Sequence, residues 1–167
     1  MIQMSKFVYL LFIPCCLLLQ YCNNQPKQDK LDQYYTPEDF PNVLKYDTHV
    51  HLNTSDPALI KLAMELNFRL LSLNVGAPDY LPLPDQQNFT VEHLKNYPGQ
   101  VAYATSFDIN HFEDSNWQEN TINYLRESFE KGAIGVKVWK NIGMEYKKMD
   151  GSFVMIDDPK LDTILSF

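Results

Sequence analysis

From residue 43 onward the apolar and polar positions fall into an alternating series of short β-prone runs and helical-period runs. Residues 43–51, rich in Val, Leu and Tyr and closing on Asp47-Thr48-His49-Val50-His51, predict a strand. Residues 57–67 place Leu59, Ile60, Ala63 and Leu66 at helical spacing, behind the helix-start signal Asn53-Thr54-Ser55-Asp56-Pro57. Residues 69–75 return to strand, and 76–88, rich in Pro, Gly, Asp and Tyr, predict a long loop. A short helix over 90–96, a third strand over 101–109, an amphipathic helix over 117–131 and a fourth strand over 133–139 follow. Asp158 as N-cap and Pro159 in the first turn open a last helix. Strand regularly followed by helix implies parallel strands joined by crossovers, hence an α/β fold.

Polar residues on these strands gather toward the C-terminal ends. Side chains alternate faces along a regular strand, so Asp47, His49 and His51 are expected on one face, with the two histidine Cα atoms about 6.6 Å apart. Neutral imidazole is a common ligand for zinc-like ions, and two rings on one face can lean toward one metal, with Asp47 placed to orient a ring from behind. The competing reading of any His-x-His pair is two solvated or hydrogen-bonded histidines. Ser72 and Asn74, then Ser106, Asp108 and Asn110, then Lys137 and Asn141 occupy comparable positions on the later strands. Such a ring of polar groups is where a (β/α)8 barrel assembles its site; strand ends are also simply wetter than strand middles. Asn74, Asp108, Trp139 and Asn141 are candidates to line the substrate site or to orient the metal-holding side chains from behind.

Lys137 is a cation inside the apolar run Gly135-Val136-Lys137-Val138-Trp139. A buried ammonium is costly unless paired or neutralised. It can pair with a carboxylate or a substrate anion, react with carbon dioxide to give an anionic carbamate able to bridge two metals, or snorkel to the rim. Lys140 has the opposite parity and reads as a loop charge, while His93 and His111 read as surface residues.

Composition narrows the chemistry. A formal net charge of −7 argues against a nucleic-acid surface and favours a small-molecule substrate. Lys6 followed by the apolar run 7–19 has the length of a signal-peptide core. All three cysteines, Cys15, Cys16 and Cys22, lie in this leader, and the polar stretch after Cys22 resembles a bacterial lipoprotein signal, although Gln20 and Tyr21 replace the usual small residues. The expected organisation is a signal peptide over 1–22 with Cys22 as lipidation site, a polar linker over 23–42, and a domain over 43–167. The expected location is the periplasm or outer membrane of a Gram-negative bacterium, with membrane attachment through Cys22. Without cysteine in the domain, no disulfide or thiolate site forms there, and any metal falls to His, Asp, Glu or a modified Lys.

Three motifs in order, Asp47-Thr-His-Val-His51, Gly132-Ala-Ile-Gly-Val-Lys-Val-Trp139 and Asp157-Asp-Pro-Lys-Leu-Asp162, resemble the amidohydrolase superfamily, in particular its branch related to aminocarboxymuconate-semialdehyde decarboxylase. The resemblance covers residues 43–167 and implies a metal-dependent (β/α)8 barrel, with His49 and His51 as ligands for one or two divalent ions, zinc foremost. It makes Lys137 a candidate for the strand-four lysine that some members carboxylate. It implies a hydrolase of an amide, ester or lactone, with a non-oxidative decarboxylase as the related alternative and a non-catalytic fragment or binding lipoprotein as the alternative from another class. The family also draws histidines from strands five and six and an aspartate from strand eight, which have no counterpart in this sequence. About four of eight β/α units are therefore expected, the N-terminal half of a barrel, inactive by itself and prone to pair as a homodimer. TatD-type nucleases share the His-x-His start but usually carry a glutamate on strand four, where this chain has Ile134, Val136 and Lys137.

Overall fold

Parallel strands in the order β1-β2-β3 carry the fold: β1 is Lys45–Val50, β2 Phe68–Leu73 and β3 Val101–Ala104. The computed structural model describes residues 35–167, of which 37–167 make one compact unit. The expected signal peptide and its Cys22 lie outside the described residues. Helices α1 (Ala58–Glu65), α2 (Leu83–Asn96), α3 (Trp117–Glu130) and α4 (Pro159–Leu165) complete the order, after a 3-10 turn at Pro37–Asp39. No helix among the described residues is long and apolar enough to cross a membrane.

One face of the sheet is covered by helices. Ile60 and Ala63, three residues apart and so on one stripe of α1, pack with Leu70 of β2, Val101 of β3 and Leu52; Leu94 of α2 joins the same cluster. Full burial of side chains such as Ile60 and Leu70 stabilises by about 1.5–3 kcal/mol each. A second cluster joins Phe107, Trp117 and Leu125 to Leu161 and Ile164 of α4. Between the sheet and α3 lies a buried polar layer. Gln87 Nε2 donates to Ser128 Oγ at 2.7 Å, Thr105 Oγ1 to the same oxygen at 3.1 Å, and Tyr103 Oη to the Ser128 carbonyl at 2.8 Å. Lys131 Nζ closes this layer by donating to Gln87 Oε1 at 2.9 Å.

Helix ends follow their sequences. At the end of α3, Gly132 adopts φ 97°, and the Ala133 N–H reaches back to the Ser128 carbonyl at 3.0 Å, a left-handed stop that a side-chain-bearing residue resists. Asn67 ends α1 in the same region, at φ 58°. Asp158 caps α4 by accepting the Lys160 N–H at 2.9 Å.

The structure departs from the sequence expectations in four places. Residues 133–139 do not form a strand: they run beside β3 through an isolated parallel bridge, Thr105 with Val136, supported by Ile134 N to Tyr103 O at 2.9 Å and Lys137 N to Thr105 O at 2.7 Å. The third strand stops at Ala104 rather than continuing to residue 109, because the chain turns away into the β3–α3 loop. The helix expected over 90–96 begins at Leu83, so half of the expected loop 76–88 is helical; Pro84 sits in its first turn, where a missing N–H costs nothing. Finally, β1 is not regular. Asp47 is in step with Leu70 but Val50 is in step with Ser72, so β1 holds one extra residue between them.

Candidate metal centre

That irregularity decides which side chains share a face. Leu70 and Ser72 point to the helix-covered side, so Asp47 and Val50 do as well, and His49 and His51, the neighbours of Val50, turn to the opposite side. Asp47 therefore does not support an imidazole ring; its Oδ1 accepts the backbone N–H of His49 at 3.0 Å. The expected common face of Asp47, His49 and His51 is corrected to a face shared by the two histidines alone.

On that face the rings of His49 and His51 meet edge to face with centroids 5.3 Å apart. His51 is half-buried, and its Nδ1 lies 2.7 Å from the Leu73 carbonyl oxygen at the end of β2. A carbonyl only accepts, so Nδ1 carries the proton and Nε2 keeps its lone pair, the form in which imidazole binds a metal. Lys137 comes in from the segment beside β3, with Nζ 3.4 Å from Nε2 of His49. It is half-buried, and desolvation lowers its pKa from the ordinary lysine value. The Ser106 hydroxyl donates to the Lys137 carbonyl at 2.9 Å and so fixes this segment against the end of β3.

Two aromatic side chains close the circuit. The Tyr80 ring lies 5.5 Å from that of His51 and 5.9 Å from that of Trp139, and the Lys137 ammonium sits 4.9 Å from the Trp139 centroid. Lys140 Nζ is also 5.6 Å from this indole, so its charge belongs to the periphery of the same cluster. Tyr80 was not legible as a site residue: it is one aromatic in a loop rich in Pro, Gly and Asp, with no period to give it a direction.

The remaining candidates lie elsewhere. Asn74 follows β2 with its N–H on the Ala104 carbonyl, so by alternation it faces the helices; it is 1% exposed, and neither amide atom has a hydrogen-bond partner. Asn141 is buried in the turn after residue 139, where Nδ2 donates to the Gly76 carbonyl at 3.3 Å and its own carbonyl accepts from Glu145 and Tyr146. Asp108 is exposed in the β3–α3 loop, with Oδ1 accepting the Asn110 N–H at 2.8 Å. His93, read as a surface residue, is instead 1% exposed, with Nε2 donating to the Thr54 carbonyl at 2.6 Å, while His111 is exposed.

The donor set fits a metal in part. His49 and His51 offer two imidazoles on one face, and Lys137 adds an amine that becomes an anionic oxygen donor only as a carbamate. Among the described residues, no group of three or more His, Cys, Asp or Glu is gathered to hold an ion. No family model, curated protein or solved structure matches this chain.

Proposed function

We propose that this chain contributes the first metal-binding strand of an amidohydrolase-type enzyme, a metal-dependent hydrolase of an amide, ester or lactone built on a (β/α)8 barrel. The observation that carries this reading is the convergence of His49 and His51, at the C-terminal end of β1, with Lys137, on the segment beside β3, on one face, with the Leu73 carbonyl accepting from His51 Nδ1. Strands in sequential order with helices covering the other face suit a barrel whose inner side carries the histidines. A bound divalent ion, zinc foremost, supplies Lewis acidity that polarises a carbonyl and acidifies water. His49 and His51 would hold and orient it through their imidazoles, and Lys137 would join them as a carbamate if its amine added to carbon dioxide, the N–H proton passing to solvent. Tyr80 and Trp139 flank the cluster on the His51 side, while His49 stays exposed to solvent.

The test is metal uptake and turnover in the same preparation. Zinc and manganese content is measured for the parent, His49→Ala and His51→Ala, alongside hydrolysis of a panel of amides, esters and lactones. Each histidine variant is expected to weaken metal binding by about tenfold or more and to lose whatever hydrolysis the parent shows. Unchanged metal stoichiometry in both variants would overturn the assignment. Labelled bicarbonate checks Lys137: a carbamate carbon signal that disappears in Lys137→Ala supports its role.

A further inference from the structure

Tyr80 also lines a separate cavity. The β2–α2 loop and the β3–α3 loop enclose a cavity of about 600 Å³, in the size range of small-molecule pockets. Its walls include the rings of Tyr80, Phe107, Trp117 and Tyr124, and its carboxylates are Asp108 and Asp114; among the described residues that line it there is no Lys or Arg. It does not contain His49, His51 or Lys137, and Tyr80 alone is common to it and the histidine cluster.

The cavity is built rather than incidental. A Cβ at Gly76 would lie 2.4 Å from the Phe107 carbonyl oxygen, so only glycine lets the two loops meet this closely. The Trp117 indole N–H donates to the Asp108 carbonyl at 2.9 Å, which ties an aromatic wall to the residue that carries a carboxylate. Phe107 and Trp117 pack edge to face at 6.1 Å. His111, a residue with a side chain, is held at φ 60° in the same loop, a conformation that costs energy and concentrates at binding sites. Pro78, Pro82 and Pro84 stiffen the opposite wall.

Phe107 and Trp117 are buried in the core behind this cavity, so the half-buried rings of Tyr80 and Tyr124 and the exposed carboxylates of Asp108 and Asp114 are what it offers to positive charge; the nearest ammonium, Lys160, donates to the Asp114 backbone carbonyl at 2.7 Å. The negative face of an aromatic ring attracts a cation within about 6 Å, and a carboxylate adds direct Coulombic attraction. Trp117 already receives one such charge from outside the lining, with Lys160 Nζ 5.9 Å from its centroid. His111 Nδ1 lies 3.6 Å from Asp114 Oδ2, so this imidazole competes with a ligand for one of the two carboxylates. We propose that the cavity between the β2–α2 and β3–α3 loops is a binding site for an organic monocation with an apolar body, a substituted amine or quaternary ammonium. This site stands independently of the metal reading, since none of the three proposed metal-binding residues lines it.

The experiment is a calorimetric titration of the full chain with three probes of similar size: benzyltrimethylammonium, benzyl alcohol and benzoate. The cation is expected to bind saturably and at least about tenfold more tightly than the other two, and to weaken by a similar factor in Asp108→Asn/Asp114→Asn. In Trp139→Phe, which leaves Trp117 as the one indole, the cation is expected to change the fluorescence with the same midpoint. Benzoate binding as tightly as the cation, or no saturable binding of the cation, would refute the proposal in the unmodified protein, whether or not the double variant folds. Undiminished cation binding by a folded double variant would refute it as well.

Discussion

The Nδ1 of His51 rests 2.7 Å from the carbonyl oxygen of Leu73 on the adjacent strand, a contact that joins the end of β1 to the end of β2 and fixes one tautomer. At pH 8, nitrogen-detected NMR of the neutral ring is expected to show a protonated Nδ1 and a bare Nε2, with the Nε2 resonance moving on zinc addition. A protonated Nε2 in the neutral ring would mean that the carbonyl does not direct the lone pair as the contact requires.

Tyr103 gives the fold an alkaline limit. Its hydroxyl is fully buried against the Ser128 carbonyl, and desolvation, followed by the nearby Tyr124 phenol, pushes its pKa up to about 12. The folded state therefore holds this proton more tightly than the unfolded chain, whose tyrosine titrates near 10. Stability from this group is complete below pH ~10 and falls as pH rises through about 12, by about 2–3 kcal/mol. Denaturant melts at pH 9 through 12 are expected to show a steeper decline for the parent than for Tyr103→Phe; parallel slopes would count against it.

At the other end of the scale, Asp158 ties α4 to the loop before it. Its carboxylate accepts the Lys160 N–H and pairs with Lys148 at 2.5 Å, and hydrogen bonding to Lys148 holds its pKa below the ordinary aspartate value. A depressed folded pKa means that the cap contributes fully above pH ~4 and is lost as pH falls through the lower folded value. Asp158→Ala is expected to destabilise by about 1 kcal/mol at pH 7, with the gap to the parent narrowing below pH ~4. Chemical denaturation at both pH values measures it.

Asn74 is a buried amide with neither atom partnered, and an unsatisfied buried polar group costs about 1–3 kcal/mol. Removing both polar atoms in a side chain of similar length is expected to help: Asn74→Leu should gain about 1 kcal/mol in denaturant midpoint and leave metal uptake unchanged. A loss of stability together with a loss of metal binding would return Asn74 to the site from which its position on the helix side removes it.

How much of this was visible in the sequence depends on which regularity each residue obeys. Ile60, Ala63 and Leu70 follow helical and strand periods, and the elements that they define lie close to where those periods put them. The start of α2 was hidden because Pro82 and Pro84 read as loop residues, although proline in a first turn is compatible with a helix. Residues 133–139 have strand composition, but strand assignment also needs a continuous ladder, and here only one bridge forms. Within the site, the approach of Lys137 to His49 joins residues far apart in sequence, which no local pattern encodes. Asp47 leaves the expected face for the simplest reason: strict alternation runs through a residue that the ladder skips.

That skipped position makes β1 tolerant of a change in length that strands ordinarily refuse. In a regular strand, losing one residue turns every following side chain to the other face. Here a deletion of Thr48 would leave Asp47 in step with Leu70 and Val50 in step with Ser72, with His49 now filling the single place between them. The apolar packing of Val50 and Leu52 and the direction of both imidazoles would survive a chain one residue shorter. The strand that bears the histidine pair thus holds one spare residue, whose deletion is neutral to which side is inside.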